Sequence, residues 1–387
     1  MKKLAIITSH PIQYNAPLFQ LLTERGNLDV KIFYTWGKKS IEEKYDPGFG
    51  KTIKWDIPLL DGYNYEFLEN VSKKPGSSHF SGIINPEIVS KIKEYNPSAI
   101  LVYGWSFKSH LKVLKYFHNK LPILFRGDST LLNDKPNFKQ KLRQVFLTWV
   151  YSKVDYALYV GKNNKDYYKK FRLKEEQLFF APHCVDAKRF NNEDTVHQAK
   201  AQNILADLNI TANQFVFLYA GKLEPIKNVS LLLKAFETAS FNNDVKLIIV
   251  GNGPLEKELK EQYQNNKNIH FLPFQNQQAM PAIYRLANYY VLPSKSETWG
   301  LAVNESMACG RPAIASSKVG CAVDLIENGE TGFVFESENE ESLKQALLLA
   351  FESKRNYQTL SNNAVNKIAT YSLENVAIAI EKTISNL

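Results

Sequence analysis

The chain has 387 residues, enough for two or three domains of roughly 150 residues each. Hydrophobic residues make up 44% and charged residues 22%, which excludes disordered, collagen-like and low-complexity classes. Lys and Arg number 48 against 39 Asp and Glu, and the net charge of +9 favours phosphates, nucleotides or an anionic membrane surface as partners. An ordinary basic surface is an equal alternative, and the charge is too diffuse to indicate nucleic acid.

In the first half of the chain, short apolar runs alternate with helical patterns. The runs at 4–9, 29–36, 99–105, 122–128 and 156–161 predict strands, and the patterns at 16–25, 86–95 and 108–119 predict helices. Strands that alternate with helices indicate βαβ units and a doubly wound parallel sheet.

The same alternation restarts after a polar, Asn- and Gln-rich stretch at 187–212, which we interpret as the crossover between two Rossmann-like domains. Strands are expected at 214–221, 245–253, 269–274, 289–294, 312–317 and 332–336, and helices at 230–240, 280–287 and 301–309. The last segment, 373–387, predicts an isolated amphipathic helix that follows the second sheet.

Two loops of the first half, 37–52 and 72–82, are rich in Gly, Ser, Lys and Pro. Loops of this length after α/β strands serve as lids or binding loops, and solvated insertions are nearly as common.

The stretch 138–153 predicts a basic amphipathic helix. Its apolar residues on one side are Leu142, Val145, Phe146, Trp149 and Val150, and its cations elsewhere are Lys139, Lys141, Arg143 and Lys153. Packing of the apolar side on the sheet is the commoner arrangement. The alternative is a helix that lies on anionic lipid.

The cysteines and the hydropathy indicate the cellular compartment in which the protein works. Cys184, Cys309 and Cys321 are far apart without a C-x-x-C spacing, so we expect neither a disulfide framework nor a zinc site but a reducing cytosol. No apolar stretch approaches the ~18 residues of a membrane span, and the N-terminal run is too short for a signal peptide. The expected location is cytoplasmic, with peripheral association at the cytoplasmic face of the inner membrane as a candidate.

The strongest chemical signal is the string at 296–316. Glu297 follows a predicted strand, and Glu305 stands eight residues later in a predicted helix. The backbone N–H groups of Gly300, Leu301 and Ala302 at the helix N-terminus suit a diphosphate. The two carboxylates would accept hydrogen bonds from a sugar at one end and a ribose at the other. The alternative is two solvent-facing glutamates on an ordinary strand–loop–helix.

A second signal is the loop after the strand that ends at Gly221. Lys222 and Lys227 flank its Leu-Glu-Pro-Ile sequence, and two ammonium groups at a strand's carboxyl end can stabilise a diphosphate leaving group. Ordinary solvated lysines are the commoner alternative for such a loop.

The turn Gly251-Asn252-Gly253 holds two glycines of a dinucleotide fingerprint. Glu256 occupies the position of the third glycine, which disfavours a nicotinamide site. A tight turn that lets the backbone approach a nucleoside is more consistent with this sequence.

Weaker candidates stand at predicted strand ends of the first half, where α/β proteins bind ligands. His10 either contacts a phosphate or a hydroxyl group of a ligand, or only leads into the helix before Pro11. Arg126 and Asp128 either contact a ligand or form a local ion pair.

Taken in order, these strings resemble the retaining glycosyltransferases of family 4, which have the GT-B fold. The resemblance covers most of the chain and is densest at 217–335. It includes a G-[RK]-L-x-x-x-K loop at 221–227, the glycine turn at 251–253, E-x7-E at Glu297 and Glu305, and ENGETGFVF at 327–335. A P-x-x-V-D-x-x-x-F segment at 182–190 looks like the family's interdomain segment.

The resemblance implies two Rossmann-like domains facing across a cleft. The expected bounds are 1–190 for an acceptor-binding domain, 191–370 for a donor-binding domain and 371–387 for a helix that crosses back to the first domain. The implied activity is transfer of a sugar from a nucleotide-diphosphate donor to a glycan or lipid-linked acceptor with retained anomeric configuration, in cell-surface polysaccharide or glycoconjugate biosynthesis.

The resemblance also implies residue roles. Glu297 would hold donor-sugar hydroxyls, Glu305 the ribose, and Lys222 with Lys227 the diphosphate. The implied catalytic residues are Glu297, Lys222, Lys227, His10 and Asp128. The donor-binding candidates are Gly221, Lys222, Lys227, Gly251, Asn252, Gly253, Phe274, Glu297, Gly300, Leu301, Ala302 and Glu305, and those on the acceptor side are His10, Gln13, Tyr14, Arg126 and Asp128.

The sequence departs from the family pattern at three places. Lys222 stands where the family often has Arg, which keeps the charge without a bidentate contact. Gly320-Cys321 replaces a Gly-Gly turn before the acidic residue, here Asp324. The loop at 9–14 replaces the Gly-Gly loop after the first strand.

No H-E-x-x-H motif and no strand-flanked D-x-D motif is present, so we expect a metal-independent reaction without a cofactor. Lysines and helix N-termini would neutralise the leaving diphosphate while a closing cleft excludes water. The alternatives are a GT-B sugar-nucleotide epimerase or phosphorylase and a non-catalytic nucleotide-sugar-binding subunit.

Overall fold

The computed structural model describes residues 1–42, 44–46, 48–134, 138–191 and 193–387. They form two parallel sheets and a separate antiparallel hairpin. In chain order the strands are β1 (Lys2–Thr8), β2 (Leu28–Tyr34), β3 (Lys44–Asp46), β4 (Lys51–Ile53), β5 (Asn64–Phe67), β6 (Ala99–Tyr103), β7 (Ile123–Arg126), β8 (Tyr156–Tyr159), β9 (Leu178–Phe180), β10 (Phe215–Ala220), β11 (Val245–Val250), β12 (Ile269–Leu272), β13 (Tyr289–Leu292), β14 (Ala313–Ser316) and β15 (Gly332–Phe335).

Helices connect most of these strands. In chain order they are α1 (Ala16–Arg25), α2 (Ile88–Tyr95), α3 (Lys108–Phe117), α4 (Phe138–Tyr151), α5 (Lys162–Lys170), α6 (Thr195–Asp207), α7 (Val229–Thr238), α8 (Glu256–Tyr263), α9 (Met280–Tyr284), α10 (Leu301–Ala308), α11 (Ala322–Leu325), α12 (Glu340–Glu352), α13 (Tyr357–Ala369) and α14 (Leu373–Ser385).

The first compact unit comprises residues 1–42, 58–183 and 372–387. Its seven parallel strands have the order β5-β2-β1-β6-β7-β8-β9. Every residue of β1 from Leu4 to Thr8 is buried, because both faces of a parallel sheet are covered, which explains the continuous apolar run. The C-terminal helix α14 packs on α1, where the Arg25 guanidinium donates to both carboxylate oxygens of Glu381 at 2.8 and 2.7 Å.

The second compact unit comprises residues 43–57 and 184–371. Its six parallel strands have the order β12-β11-β10-β13-β14-β15, and the β3–β4 hairpin belongs to it as well. The doubly wound α/β class expected from the alternating pattern is therefore confirmed for both units. The division differs from the expected one, because residues 43–57 and 184–190 group with the second unit and not with the first.

Sequence patterning identified eleven of the described strands and missed β3, β4, β5 and β9. The edge strands β5 and β9 have four and three residues and are only partly buried, so they lack an apolar run. The stretch at 187–212, expected to be an unpatterned crossover, contains α6. This helix buries only Ala201 and therefore has no amphipathic signal. Asp194 caps its N-terminus, where the Asp194 carboxylate accepts from the His197 amide at 3.0 Å.

The amphipathic helix α4 does not pack as the commoner arrangement requires. It buries Leu147, Val150 and Tyr151, while the apolar stripe on its other side is exposed. Of the predicted apolar side, Val150 packs in the core as expected, together with Leu147 and Tyr151. The expectation is wrong for the other four residues, which remain exposed: Leu142, Val145, Phe146 and Trp149.

All three cysteines are buried and free of disulfides. Across the ranges that the structure describes, no helix combines the length and the apolar character that crossing a bilayer requires.

His110 of α3 is a buried titratable group in the core of the first unit. Its Nδ1 lies 3.0 Å from the carbonyl oxygens of Tyr103 and Gly104, and its Nε2 lies 2.9 Å from the Thr35 hydroxyl. Burial lowers the pKa of His110 to about 4, although the two carbonyls act in the opposite direction. The imidazole is therefore neutral in the folded chain at neutral pH.

We expect His110 to make the first unit acid-sensitive. Between about pH 7 and about pH 5 the unfolded state binds a proton at His110 that the folded state does not. The contribution of His110 to the free energy of unfolding therefore falls by about 2 kcal/mol over this range. Urea unfolding of the wild type and of His110→Gln at both pH values measures this contribution. The loss of stability on acidification should be smaller in the variant, and equal losses would contradict the assignment.

Candidate functional site

The topology of the second unit places its candidate site at the carboxyl ends of β10 and β13. These two strands are neighbours, and the chain continues outward in opposite directions from them, through β11 and β12 on one side and β14 and β15 on the other. Open α/β sheets bind ligands at such a switch point. The loop after β10 carries Lys222 and Lys227, and the loop after β13 carries Glu297.

Backbone and side-chain contacts join these two loops. The Lys295 amide donates to the Ile226 carbonyl at 2.9 Å, and the Lys227 ammonium forms an ion pair with Glu297. The Ser294 hydroxyl donates to the same carboxylate at 3.0 Å. The lysine and glutamate side chains are 25% and 18% exposed, so both remain accessible to a ligand.

A glycine turn fixes the position of Glu297. Its amide donates to the Lys318 carbonyl at 3.1 Å, and its carbonyl accepts from the Gly320 amide at 3.1 Å. A Cβ atom at position 320 would lie 1.8 Å from the Thr298 carbonyl oxygen. Glycine is therefore required at 320, whereas Cys321 fills a buried space and donates its amide to the Trp299 carbonyl at 2.9 Å.

The turn after β11 packs directly on the loop after β10. The Asn252 carbonyl accepts from the Leu223 amide at 2.9 Å, and the Asn252 side-chain oxygen accepts from the Phe274 amide at 2.7 Å. A Cβ atom at Gly251 would lie 1.9 Å from the Gly221 carbonyl oxygen. The predicted tight turn is present, and the donor-side candidates Gly221, Gly251, Asn252, Gly253 and Phe274 form one cluster.

Helix α10 begins at the same edge. Gly300 caps it with a φ of +99°, a conformation that favours glycine, and Leu301 and Ala302 follow in the first turn. The amides of a first helical turn have no carbonyl partner within their own helix. These are the amides that the sequence predicts to bind an anion.

Glu305 is buried in α10 with only 3% of its surface exposed. The Tyr284 hydroxyl of α9 donates to its Oε2 at 2.6 Å, and the ring of Tyr284 packs on Tyr290, which itself donates to the Ala220 carbonyl at 3.2 Å. The alternative of two solvent-facing glutamates is therefore wrong. Sequence reasoning missed Tyr284, because a tyrosine in an apolar helix predicts only core packing.

The β3–β4 hairpin adds groups that the sequence did not place here. The Asp46 carboxylate forms an ion pair with the Lys222 ammonium at 2.9 Å and accepts from the amides of Gly48 and Phe49 at 2.8 and 3.2 Å. Burial by itself raises the pKa of Asp46, but Lys222 and the two amides lower it more, so that the pKa lies below its ordinary value. Phe49 packs edge-on against Phe274 with ring centroids 4.6 Å apart.

Two further contacts hold the end of this segment. The Asn276 side chain donates to the Lys54 carbonyl at 2.8 Å, and the Gln278 amide donates to Asp56 Oδ1 at 3.1 Å. Together with the contacts of Asp46 and Phe49, they show that part of the loop predicted at 37–52 packs on the second unit and is not a solvated insertion.

The acceptor-side candidates lie in the first unit, at the carboxyl edge of its own sheet. His10 follows β1, with its ring edge-on to Trp36 at 5.0 Å and its Nδ1 2.9 Å from the Ser9 hydroxyl. Gln13 and Tyr14 stand in the turn before α1, half-buried. In this sheet the order reverses between β1 and β6, so His10 occupies a switch point as well.

Arg126 and Asp128 make different contacts, but both act on His183. The buried Arg126 guanidinium donates to the carbonyls of Ala181 and Pro182 at 2.7 and 2.9 Å, which anchors the end of the first unit. Asp128 Oδ2 lies 3.9 Å from His183 Nε2. Burial and the charge of Arg126 lower the pKa of His183 to about 4 against the opposing effect of Asp128, so its imidazole is neutral at pH 7.

Among the described residues, no group of three or more His, Cys, Asp and Glu side chains is arranged to hold a metal ion. The groups that gather at the site of the second unit are cations, amides and the three carboxylates of Asp46, Glu297 and Glu305.

The second unit matches a known family, and the whole chain matches solved folds. Residues 200–367 match the family model described as glycosyl transferases group 1. The lipopolysaccharide 1,2-N-acetylglucosaminetransferase of Salmonella typhimurium is 28% identical over 52% of this chain and 54% of its own length. The UDP-Gal:alpha-D-GlcNAc-diphosphoundecaprenol alpha-1,3-galactosyltransferase of Escherichia coli is 33% identical over 42% of each chain. This chain spans about half the length of the curated relatives that it matches.

The structure of HepE from Anabaena in complex with UDP is similar over 100% of both chains, with a TM-score of 0.72 and 18% identity. The fold class expected from the sequence, GT-B with two Rossmann-like parallel-sheet units, is confirmed.

We expect the Asp46 carboxylate to compete with an anionic ligand for Lys222. Asp46→Asn should tighten the binding of pyrophosphate by about two- to fivefold, the worth of a half-exposed ion pair. Titration calorimetry with pyrophosphate measures the change, and Asp56→Asn in the same segment is the matched control because it does not contact Lys222. Unchanged or weaker binding by Asp46→Asn would show that the two do not compete.

Proposed function

Because residues 200–367 match the family model described as glycosyl transferases group 1, we propose that this chain belongs to that family and transfers a sugar from a nucleoside-diphosphate donor to a saccharide or lipid-linked saccharide acceptor. The observation that carries the proposal is the meeting of two lysines, two carboxylates and a helix N-terminus at one switch point of the second unit.

The diphosphate of the donor occupies the cationic side of this site. Lys222 and Lys227 are each paired with a carboxylate in the absence of ligand, and each exchanges that carboxylate for a phosphate oxygen when the donor binds. The first-turn amides of α10 add fixed hydrogen-bond donors that need no reorganisation.

The two glutamates hold the groups on either side of the diphosphate. Glu305, oriented by Tyr284, accepts from the ribose hydroxyls, and Glu297, oriented by Ser294, accepts from hydroxyls of the donor sugar. The turn at 251–253, which packs against Phe274, lies beside the nucleoside. A fixed carboxylate on each side would select a donor with hydroxyls at both ends.

The reaction breaks the bond between the anomeric carbon and the diphosphate oxygen. Positive charge on Lys222 and Lys227 stabilises the leaving diphosphate without a metal ion or a cofactor. The acceptor oxygen then attacks the oxocarbenium-like carbon on the face that the diphosphate leaves, and the departing phosphate oxygen on that face takes the acceptor's proton. The anomeric configuration is retained without a carboxylate nucleophile.

The first unit supplies the acceptor side of the reaction. We assign contacts with the acceptor to His10, Gln13 and Tyr14 in the loop after β1 and to Asp128 after β7, because both stand at the carboxyl edge of the sheet. Arg126 supports them through its bonds to the chain at 181–182.

The relatives support a role in the assembly of glycoconjugates or cell-surface polysaccharides. One of them is named for lipopolysaccharide and another for a diphosphoundecaprenol acceptor and a UDP-sugar donor. A similar structure holds UDP. A UDP-sugar is therefore the first donor to test, in a cytoplasmic setting where such donors are made.

The correct donor should stabilise the protein by mass action. At a concentration of about 100 times its Kd it adds about 2.7 kcal/mol, which raises the melting temperature by roughly 5–10 °C. A thermal-shift screen of nucleotide sugars, with UDP-sugars first, measures this. Lys227→Met should reduce the shift, whereas the exposed Lys257→Met should not. If no nucleotide sugar shifts the wild type, donor binding is contradicted.

With the donor identified, turnover should persist in excess chelator, since lysines take the place of a divalent ion. Transfer to saccharide acceptors is followed by mass spectrometry, and the anomeric configuration of the product by NMR. Activity that is lost in chelator and restored by Mg²⁺ or Mn²⁺ contradicts metal independence. An inverted product contradicts retention, and conversion of the donor without any acceptor indicates an epimerase.

A further inference from the structure

Helix α4 carries a stripe of exposed apolar side chains. Phe138, Val145 and Leu142 are 74%, 72% and 59% exposed, and Phe146 and Trp149 are each 39% exposed. Their spacing of four, three, one and three residues places all five on one side of the helix. The opposite side of α4, formed by Leu147, Val150 and Tyr151, makes the contact with the core, so the exposed stripe is not needed to hold the helix there.

Lysines lie beside the Trp149 end of this stripe. Lys115 of α3 and Lys153 after α4 place their ammonium groups 5.9 and 6.0 Å from the ring centroid of Trp149. Residues 108–120 and 138–153 contain no Asp or Glu. Their cations are Lys108, Lys112, Lys115, Lys120, Lys139, Lys141, Arg143 and Lys153.

Contacts between the two helices make this one continuous surface. Trp105, which precedes α3, packs edge-on against Phe146 of α4 at 5.4 Å, and the Lys115 side chain reaches across to Trp149. Tyr116 of α3 is also exposed. We call the α4 stripe together with the lysines of α3 and α4 the docking face.

We propose that the docking face binds the surface of an anionic phospholipid bilayer. Aromatic and aliphatic side chains of such a helix enter the boundary between headgroups and acyl chains, while lysines along its flanks reach the phosphates. The charge of the face complements anionic lipid, and each cation near such a surface strengthens binding by about fivefold.

A second copy of this chain fits the face less well. Symmetric pairing through the α4 stripe would bring Lys139, Lys141 and Arg143 of both copies together with no acidic residue on either helix to neutralise them. One of these cations, Arg143, pairs with an acidic side chain outside the helix, Asp134, at 3.9 Å. The inference rests on this face alone and does not depend on the glycosyl transfer proposed above.

Vesicle sedimentation of the full chain, without any nucleotide, tests the proposal. The wild type should sediment with vesicles of equal parts phosphatidylglycerol and phosphatidylcholine and stay in solution with pure phosphatidylcholine. Raised salt should weaken the binding, because the cations act through screened charge.

Two sets of variants separate the apolar and the cationic contributions. Phe138→Ser/Leu142→Ser/Val145→Ser should abolish sedimentation, and Lys139→Gln/Lys141→Gln should weaken it by about 25-fold if the two contributions multiply. The matched controls are Val71→Ser/Val196→Ser/Leu349→Ser and Lys234→Gln/Lys257→Gln, which change exposed residues elsewhere and should bind as the wild type does. Melting temperatures close to that of the wild type show that each variant is folded.

Three outcomes overturn the proposal. The wild type fails to sediment with anionic vesicles; the triple serine variant sediments as well as the wild type; or the wild type forms a dimer that the triple variant abolishes, without vesicle binding. Nucleotide binding is measured separately by thermal shift. A negative result in vesicle sedimentation therefore does not contradict the proposed reaction, and a negative result in the thermal-shift screen does not contradict membrane binding.

Discussion

The ion pair between Lys227 and Glu297 is the contact around which the candidate site is built. Two half-buried charges are stable only when they are paired, so the loops after β10 and β13 must stay together. They can meet because β10 and β13 are hydrogen-bonded neighbours at which the strand order reverses. Sheet topology thus puts a cation and a carboxylate beside the N-terminus of α10, where both side chains remain partly exposed.

The other groups of the site depend on close approach of backbones. Gly251 lets the turn after β11 reach the Gly221 carbonyl, and Gly320 lets the turn after β14 reach Thr298. A side chain at either position would push a loop away from the switch point. Tyr284 has a comparable role for Glu305, because it supplies the hydrogen bond that a buried carboxylate needs. Close backbone contacts therefore position the loops of the site, and each of its two lysines pairs with a carboxylate.

Both units place candidate residues at a switch point of a parallel sheet, but the chemistry of their surfaces differs. The second unit concentrates charge and amides at its switch point, whereas the first unit places His10 at its own switch point and presents a large apolar and cationic face on α3 and α4. Exposed aromatic side chains beside lysines are unfavourable in water, and this sequence retains five apolar residues on one side of α4. Such a surface is stable in the protein only because the opposite side of α4 anchors the helix in the core.

The sequence alone determined the doubly wound fold class, the long buried strands, and Lys222, Lys227, Glu297 and Glu305 as candidates, since buried strands and glycine-rich turns leave local patterns. It could not determine that Glu305 is buried under Tyr284, that Asp46 pairs with Lys222 from more than a hundred residues away, or which side of α4 faces solvent. Those features depend on which distant segments pack together. Local periodicity shows that a helix has an apolar side but not what covers that side, and only the tertiary structure decides this.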